Sequence, residues 1–131
     1  VLIRLLLAML LGGLVGFERE KSRKSAGFKT NILVCLGAAL VTMSSFMFGE
    51  GSDPSRVAAQ IIVGIGFIGA GTIVKSQDRI KGLTTAASLW VVACIGLAIG
   101  IGFYIAAIFT AVLVFGVLEV SYRFKIKSRL R

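Results

Sequence analysis

The chain has 131 residues, of which 56% are hydrophobic, with sixteen glycines, one proline and a formal charge of +9. A soluble domain of this size is less apolar and interleaves its charges, whereas here the charges sit in short stretches between long uncharged runs, the pattern of a polytopic membrane protein. The basic residues lie at the ends of the apolar runs and form no stripe on a soluble face, which argues against nucleic acid as a partner.

Val1–Phe17 is the first apolar run, and it carries a stripe of small residues, Ala8, Gly12 and Gly16, at helical spacing. Charged residues follow it without a small-residue cleavage site, so a cleavable leader is not expected, although the absence of a starting methionine leaves room for upstream residues. Thr30–Phe48 and Val57–Val74 are the next two runs, and Thr84 to Val120 is a stretch too long for one crossing of about 20 residues. Gly100-Ile101-Gly102 is the natural turn within it. The expected fold is all-α, a transmembrane domain over 1–122 with helices at about 1–17, 30–48, 57–74, 84–99 and 103–122, the fourth a short one, followed by a basic cytoplasmic tail, 123–131.

Basic residues set the direction. The first loop holds Arg19, Lys21, Arg23, Lys24 and Lys29; the third holds Lys75, Arg79 and Lys81; the tail holds Arg123, Lys125, Lys127, Arg129 and Arg131. The second loop has Arg56 against Glu50 and Asp53, and the fourth has no charge. Every other connection is therefore basic, which predicts an external N-terminus and a cytoplasmic C-terminus.

Gly64-Ile65-Gly66-Phe67-Ile68-Gly69-Ala70-Gly71 has the G-x-G-x-x-G spacing of a dinucleotide turn. Such a turn follows a strand and needs an acidic ribose ligand about 20 residues on, but this stretch lies in an apolar run and no acidic residue occurs between Asp78 and Glu119. No nucleotide or other cofactor is expected. Two readings remain. Helical geometry places Gly66, Gly69 and Ala70 on one side and Gly64 and Gly71 on the other, a helix thinned for two packing neighbours. Alternatively, four glycines in eight residues permit a break that exposes backbone to an ion or solute. Gly27-Phe28-Lys29-Thr30 and Gly82-Leu83-Thr84-Thr85, with Cys35-Leu36-Gly37 and Cys94-Ile95-Gly96 further on, also hint that helices one and two repeat as three and four.

Chemistry-bearing residues are few. There is no histidine, and Cys35 and Cys94 lie in apolar runs, so no Cys/His metal site and no histidine-activated nucleophile is expected, and the chain does not read as an enzyme. The apolar runs also lack the midplane carboxylates a Mg²⁺ pathway would use. The charged rim is the expected functional surface. Glu18, Arg19 and Glu20 end helix one there, and Arg79 and Lys81 are expected to converge on them. A short fourth helix would leave a recess lined by Asn31, Thr84, Thr85 and Ser88, suited to an anion or a partner's carboxylate. The competing reading is a solvated helix end. In the tail, Tyr122, Phe124, Ile126 and Leu130 alternate with basic residues, a period-two strand signal that either begins a soluble domain or lies on anionic lipid.

Four segments together resemble the MgtC/SapB family of bacterial inner-membrane proteins. They are Gly12–Glu20, Ala26–Asn31, Gly64–Ile73 and Gly82–Trp90, in matching order and spacing over nearly the whole chain. The resemblance implies a helical inner-membrane domain and a role in adaptation to low Mg²⁺, with survival inside host cells in pathogens. We expect a partner in the inner membrane, contact with membrane lipids and a homo-oligomer. Two departures stand out: many members carry a further cytoplasmic domain after the last helix, and position 31, often histidine in the family, is Asn31. The expected activity is non-enzymatic modulation of another membrane protein, with a solute or ion carrier that uses a glycine-broken third helix as the alternative.

Overall fold

The computed structural model describes residues 1–49 and 51–129, so the expectations resting on Glu50, Leu130 and Arg131 lie outside the described residues, as does the side chain of Arg129. The described residues form five helices: α1 (Leu2–Lys21), α2 (Phe28–Ser45), α3 (Pro54–Ala70), α4 (Leu83–Ile101) and α5 (Tyr104–Arg129). A two-stranded antiparallel hairpin, β1 (Val74–Ser76) and β2 (Arg79–Lys81), joins α3 to α4. Three helices are long and apolar enough to cross a membrane: α2, α4 and the Tyr104–Lys127 part of α5. At seventeen residues α3 is shorter, and α1 carries Arg4 near one end and Glu18–Lys21 at the other.

α4 is the hub. Val92, Ile95 and Ile99 on it pack with Ala8, Leu11 and Val15 of α1, Cys35 and Ala39 of α2, and Ala107, Ala111 and Leu118 of α5. Small residues let the backbones approach, the means by which helices associate where lipid is as apolar as leucine. A Cβ added at Gly12 would lie 2.7 Å from the Cβ of Cys35, and one at Gly16 would lie 2.8 Å from Cα of Phe28. On the other side of α2, Gly96 of α4 meets the Cys35 carbonyl, and a Cβ at Gly100 would lie 2.5 Å from Thr42. α2 is thus held between α1 and α4 by four glycines. α3 sits outside this group, touching it through Ile65, Ala38 and Ala93. Large apolar side chains such as Leu10, Val63, Phe67, Ile105, Phe109 and Leu113 face outward, the reverse of a water-soluble surface.

Several element ends differ from the sequence-based expectation, each for a local reason. α3 begins at Pro54, ahead of Val57, because the Asp53 carboxylate accepts the Ser55 N–H at 2.9 Å and proline occupies the first turn. It ends at Ala70, ahead of Val74, where Thr72 N–H and Ile73 N–H bond to the Gly69 and Ala70 carbonyls and the chain enters the hairpin. Gly82, at φ +91°, leads out of that hairpin and abuts the Thr72 carbonyl so closely that no Cβ fits. α4 is nineteen residues and not short, because only Gly102 (φ +93°) makes the turn; Gly100 is a packing residue inside the helix. The period-two signal after Tyr122 does not become a strand. α5 runs on to Arg129, with no glycine or proline to stop a helix already formed, and Glu119 bonds both Lys21 and Arg123 at 3.1 Å.

The suggested repeat has mixed support. α1 with α2 and α3 with α4 are each consecutive helix pairs, but the equivalent glycines differ: Gly96 is pressed against α2, whereas a Cβ added at Gly37 would meet no atom within 4 Å.

Candidate functional site

The carboxyl end of α1 carries charge into the bundle. Glu18 is 1% exposed and Arg19 3%, and they form an ion pair at 3.6 Å. Ser22, one turn on, donates its hydroxyl to Glu18 Oε1. Arg19 Nη2 donates to Thr85 Oγ1 of α4 at 3.0 Å, and the Thr85 carbonyl accepts the Ser88 hydroxyl at 2.8 Å. Glu18, Arg19, Thr85 and Ser88 thus form one buried polar group between α1 and α4. Its hydrogen bonding is incomplete: Glu18 Oε2 and Arg19 Nε are buried and have no hydrogen-bond partner. Such groups carry a desolvation cost that a bound polar group would relieve.

The other expected site residues fall elsewhere. Glu20 Oε2 accepts the Phe28 N–H at 2.6 Å and so caps α2, which has no cap of its own. Asn31, fully buried, donates to the Ala26 and Gly27 carbonyls at 3.1 and 2.8 Å while its Oδ1 lacks a donor. Arg79 and Lys81 do not converge on Glu18. Both lie exposed on β2, and among the described residues no hydrogen bond or ion pair joins them to the cluster. Early termination of α3 puts them on a projecting hairpin.

A recess does exist at this end, of about 470 Å³, but its walls are not those expected. Glu18, Arg19, Ser22, Arg23 and Lys24 of α1 and its following turn form one side, Thr84 the base of α4, and Leu118, Ser121, Tyr122, Lys125 and Ile126 of α5 the other. Asn31, Thr85 and Ser88 are buried between helices and do not line it. The strand reading of the tail hides Tyr122, Lys125 and Ile126, while Leu118 and Ser121 lie in the expected fifth helix, whose packing against α1 the spacing does not disclose. Loss of water holds the Lys24 ammonium below the usual lysine range, and the neighbouring Lys125 and Arg19 add to this against the pull of Glu18.

Two further features lie away from the rim. Arg4, inside the first apolar run, was not singled out by its sequence context. It donates to the Tyr104 hydroxyl and to the Gly100 carbonyl, both at 2.7 Å, at the carboxyl end of α4 where a cation is favoured. The second is an apolar groove of about 480 Å³ between α2 and α3, with Gly37 on one wall, Gly64 on the other and Ala93 of α4 among its lining residues. The expectation that Gly64 and Gly66 pack within the bundle is not met, since neither has an atom within 4 Å of an added Cβ; of these glycines only Gly69 faces α4, 3.5 Å from Ala86. Gly71 caps the helix and nears only its own turn. α3 is helical from Gly64 through Ala70, with no break. Among the described residues, no three His, Cys, Asp or Glu side chains are placed to hold a metal ion.

These features define a polytopic α-helical membrane protein with a glycine-packed core and a polar cluster at one end. The profile of the MgtC family matches residues 5–126, and the chain belongs to that family. It is 44% identical over 130 residues to "Putative magnesium transporter YhiD" of Escherichia coli K12, an alignment covering 93% of this chain and 60% of that protein. It is 50% identical over 95 residues to Protein MgtC of Brucella abortus strain 2308, covering 72% of the chain and 40% of that protein. With Protein MgtC of Salmonella typhimurium LT2 the identity is 48% over 101 residues, 77% of the chain and 43% of the relative. The chain therefore spans between two-fifths and three-fifths of these relatives' lengths. No solved structure matches it significantly.

Proposed function

We propose that this chain is a non-enzymatic protein of the bacterial inner membrane that modulates another membrane protein under magnesium limitation. The magnesium context rests on the names and family of its relatives. The observation that carries the mode of action is the α2–α3 groove. It is apolar, faces out of the bundle, and has glycine on both walls with nothing against either, the close-approach surface that a neighbouring transmembrane helix uses. A helix of the partner protein is the proposed occupant, and a second copy of the chain in a homo-oligomer is the alternative. Five crossings with the basic connections in the cytoplasm remain the proposed topology.

Gly64→Leu tests the groove. An added Cβ there meets no atom within 4 Å and the groove is open for the rest of the side chain, so the protein should accumulate in the membrane with unchanged thermal stability. Growth support in low Mg²⁺ should be lost, because the side chain fills the docking surface. Normal growth at wild-type abundance would rule the groove out as the working surface. The competing reading, an ion or solute carrier, draws support from the name of YhiD. The unbroken course of α3 through its glycines weighs against the broken-helix form of that reading.

A further inference from the structure

The recess between α1, α4 and α5 is separate from the α2–α3 groove and has a different chemistry. Arg19, Arg23, Lys24 and Lys125 face it against the single carboxylate of Glu18. Thr84 brings in the first turn of α4, a nineteen-residue helix whose N-terminus has no side-chain cap, so its backbone N–H groups and positive dipole end add to the cationic field. Arg19 supplies an independent sign of a missing ligand. It is only 3% exposed, borders the recess, and keeps its Nε–H without an acceptor. Glu18 Oε2 beside it has only the 3.6 Å ion pair with Arg19 Nη1 and no hydrogen bond. A guest that offers both an anionic oxygen and a hydroxyl would satisfy the two together.

We propose that this recess binds a phosphate group, either the headgroup of an anionic phospholipid or a free phosphate. Tetrahedral oxygens accept from several cations and from helix N–H groups at once, which one carboxylate cannot do as fully. The lipid source has added support from α5. Leu118, Tyr122 and Ile126 form the apolar part of the wall, one turn apart on the same face of α5, against which an acyl chain can lie.

The test uses the purified full chain in mixed micelles of phosphatidylglycerol and phosphatidylcholine, with bound lipid read by native mass spectrometry. Phosphatidylglycerol should be retained about tenfold over phosphatidylcholine, the scale of one charge-assisted contact. Arg23→Gln combined with Lys24→Gln should abolish that preference; both side chains are exposed, so folding should be unaffected, as circular dichroism would verify. Lys75→Gln with Lys81→Gln, on the exposed hairpin and outside the lining of the recess, should leave it intact. Displacement of the lipid by millimolar inorganic phosphate would support the site with free phosphate as its source, and failure to displace would support the lipid. Equal retention of the two lipids by the wild-type chain together with no binding of inorganic phosphate, or equal loss from the hairpin variant, would overturn the proposal.

Discussion

Arg19 and Thr85 show how one residue pair ties the membrane core to the rim. Arg19 is buried with one donor already unpartnered, and Thr85 Oγ1 takes another. Thr85→Val keeps the shape and removes that acceptor, leaving a second buried donor unsatisfied. The expected cost is about 1–3 kcal/mol of stability, read as a lower unfolding midpoint in detergent; an unchanged midpoint would mean that water reaches the guanidinium. Glycine positions give a sharper contrast. Gly16→Leu drives a side chain into the Phe28 backbone, and overpacking of this kind costs at least about 1–3 kcal/mol. Gly66→Leu points into open space and should leave the thermal stability of the protein unchanged. Loss of the folded species in both variants, by size-exclusion chromatography, would contradict the arrangement of α3. Sequence spacing placed both glycines on helix faces, but which face has a neighbour depends on tertiary packing, which spacing alone does not encode.

Among the elements, α4 and α5 mark the boundary of what the sequence discloses. Long uncharged runs identify the helices, because a bilayer imposes both their length and their lack of charge. Their ends are less legible. Val74 belongs to an apolar run by composition, yet it pairs with Lys81 in the hairpin, since α3 has ended at Ala70 and Gly82, at φ +91°, turns the chain out of the hairpin. Tyr122 to Ile126 alternate as a strand would, yet a growing helix with no breaker adds each residue at little cost, and the alternation is absorbed into α5. That extension places Lys125 opposite Arg19 and creates the recess. The rim residues Glu18 and Arg19 were legible because charges at a helix end stand out against an apolar run; Arg4 escaped notice because a lone charge within such a run is masked by its neighbours. Arg79 and Lys81 were legible as basic but not as apart from the cluster, for the hairpin holds them exposed.

At the scale of the whole molecule, topology and activity remain joined. Reporters placed within Lys21–Ser25 and after Arg131 should read as cytoplasmic, and one at Gly51–Ser52 as external, following the alternation of basic and non-basic connections. A cytoplasmic signal at Gly51 would remove the five-crossing arrangement and with it the placement of the polar recess at the inner surface. One relative bears a transporter's name, whereas the activity proposed here works through contact with another protein, and the two differ in what the chain does alone. Purified protein in liposomes, assayed for Mg²⁺ entry with an entrapped indicator, separates them most directly. A chain that works by packing against a partner should give no flux above protein-free liposomes, whereas saturable Mg²⁺ entry that depends on the protein would contradict that account and establish a carrier.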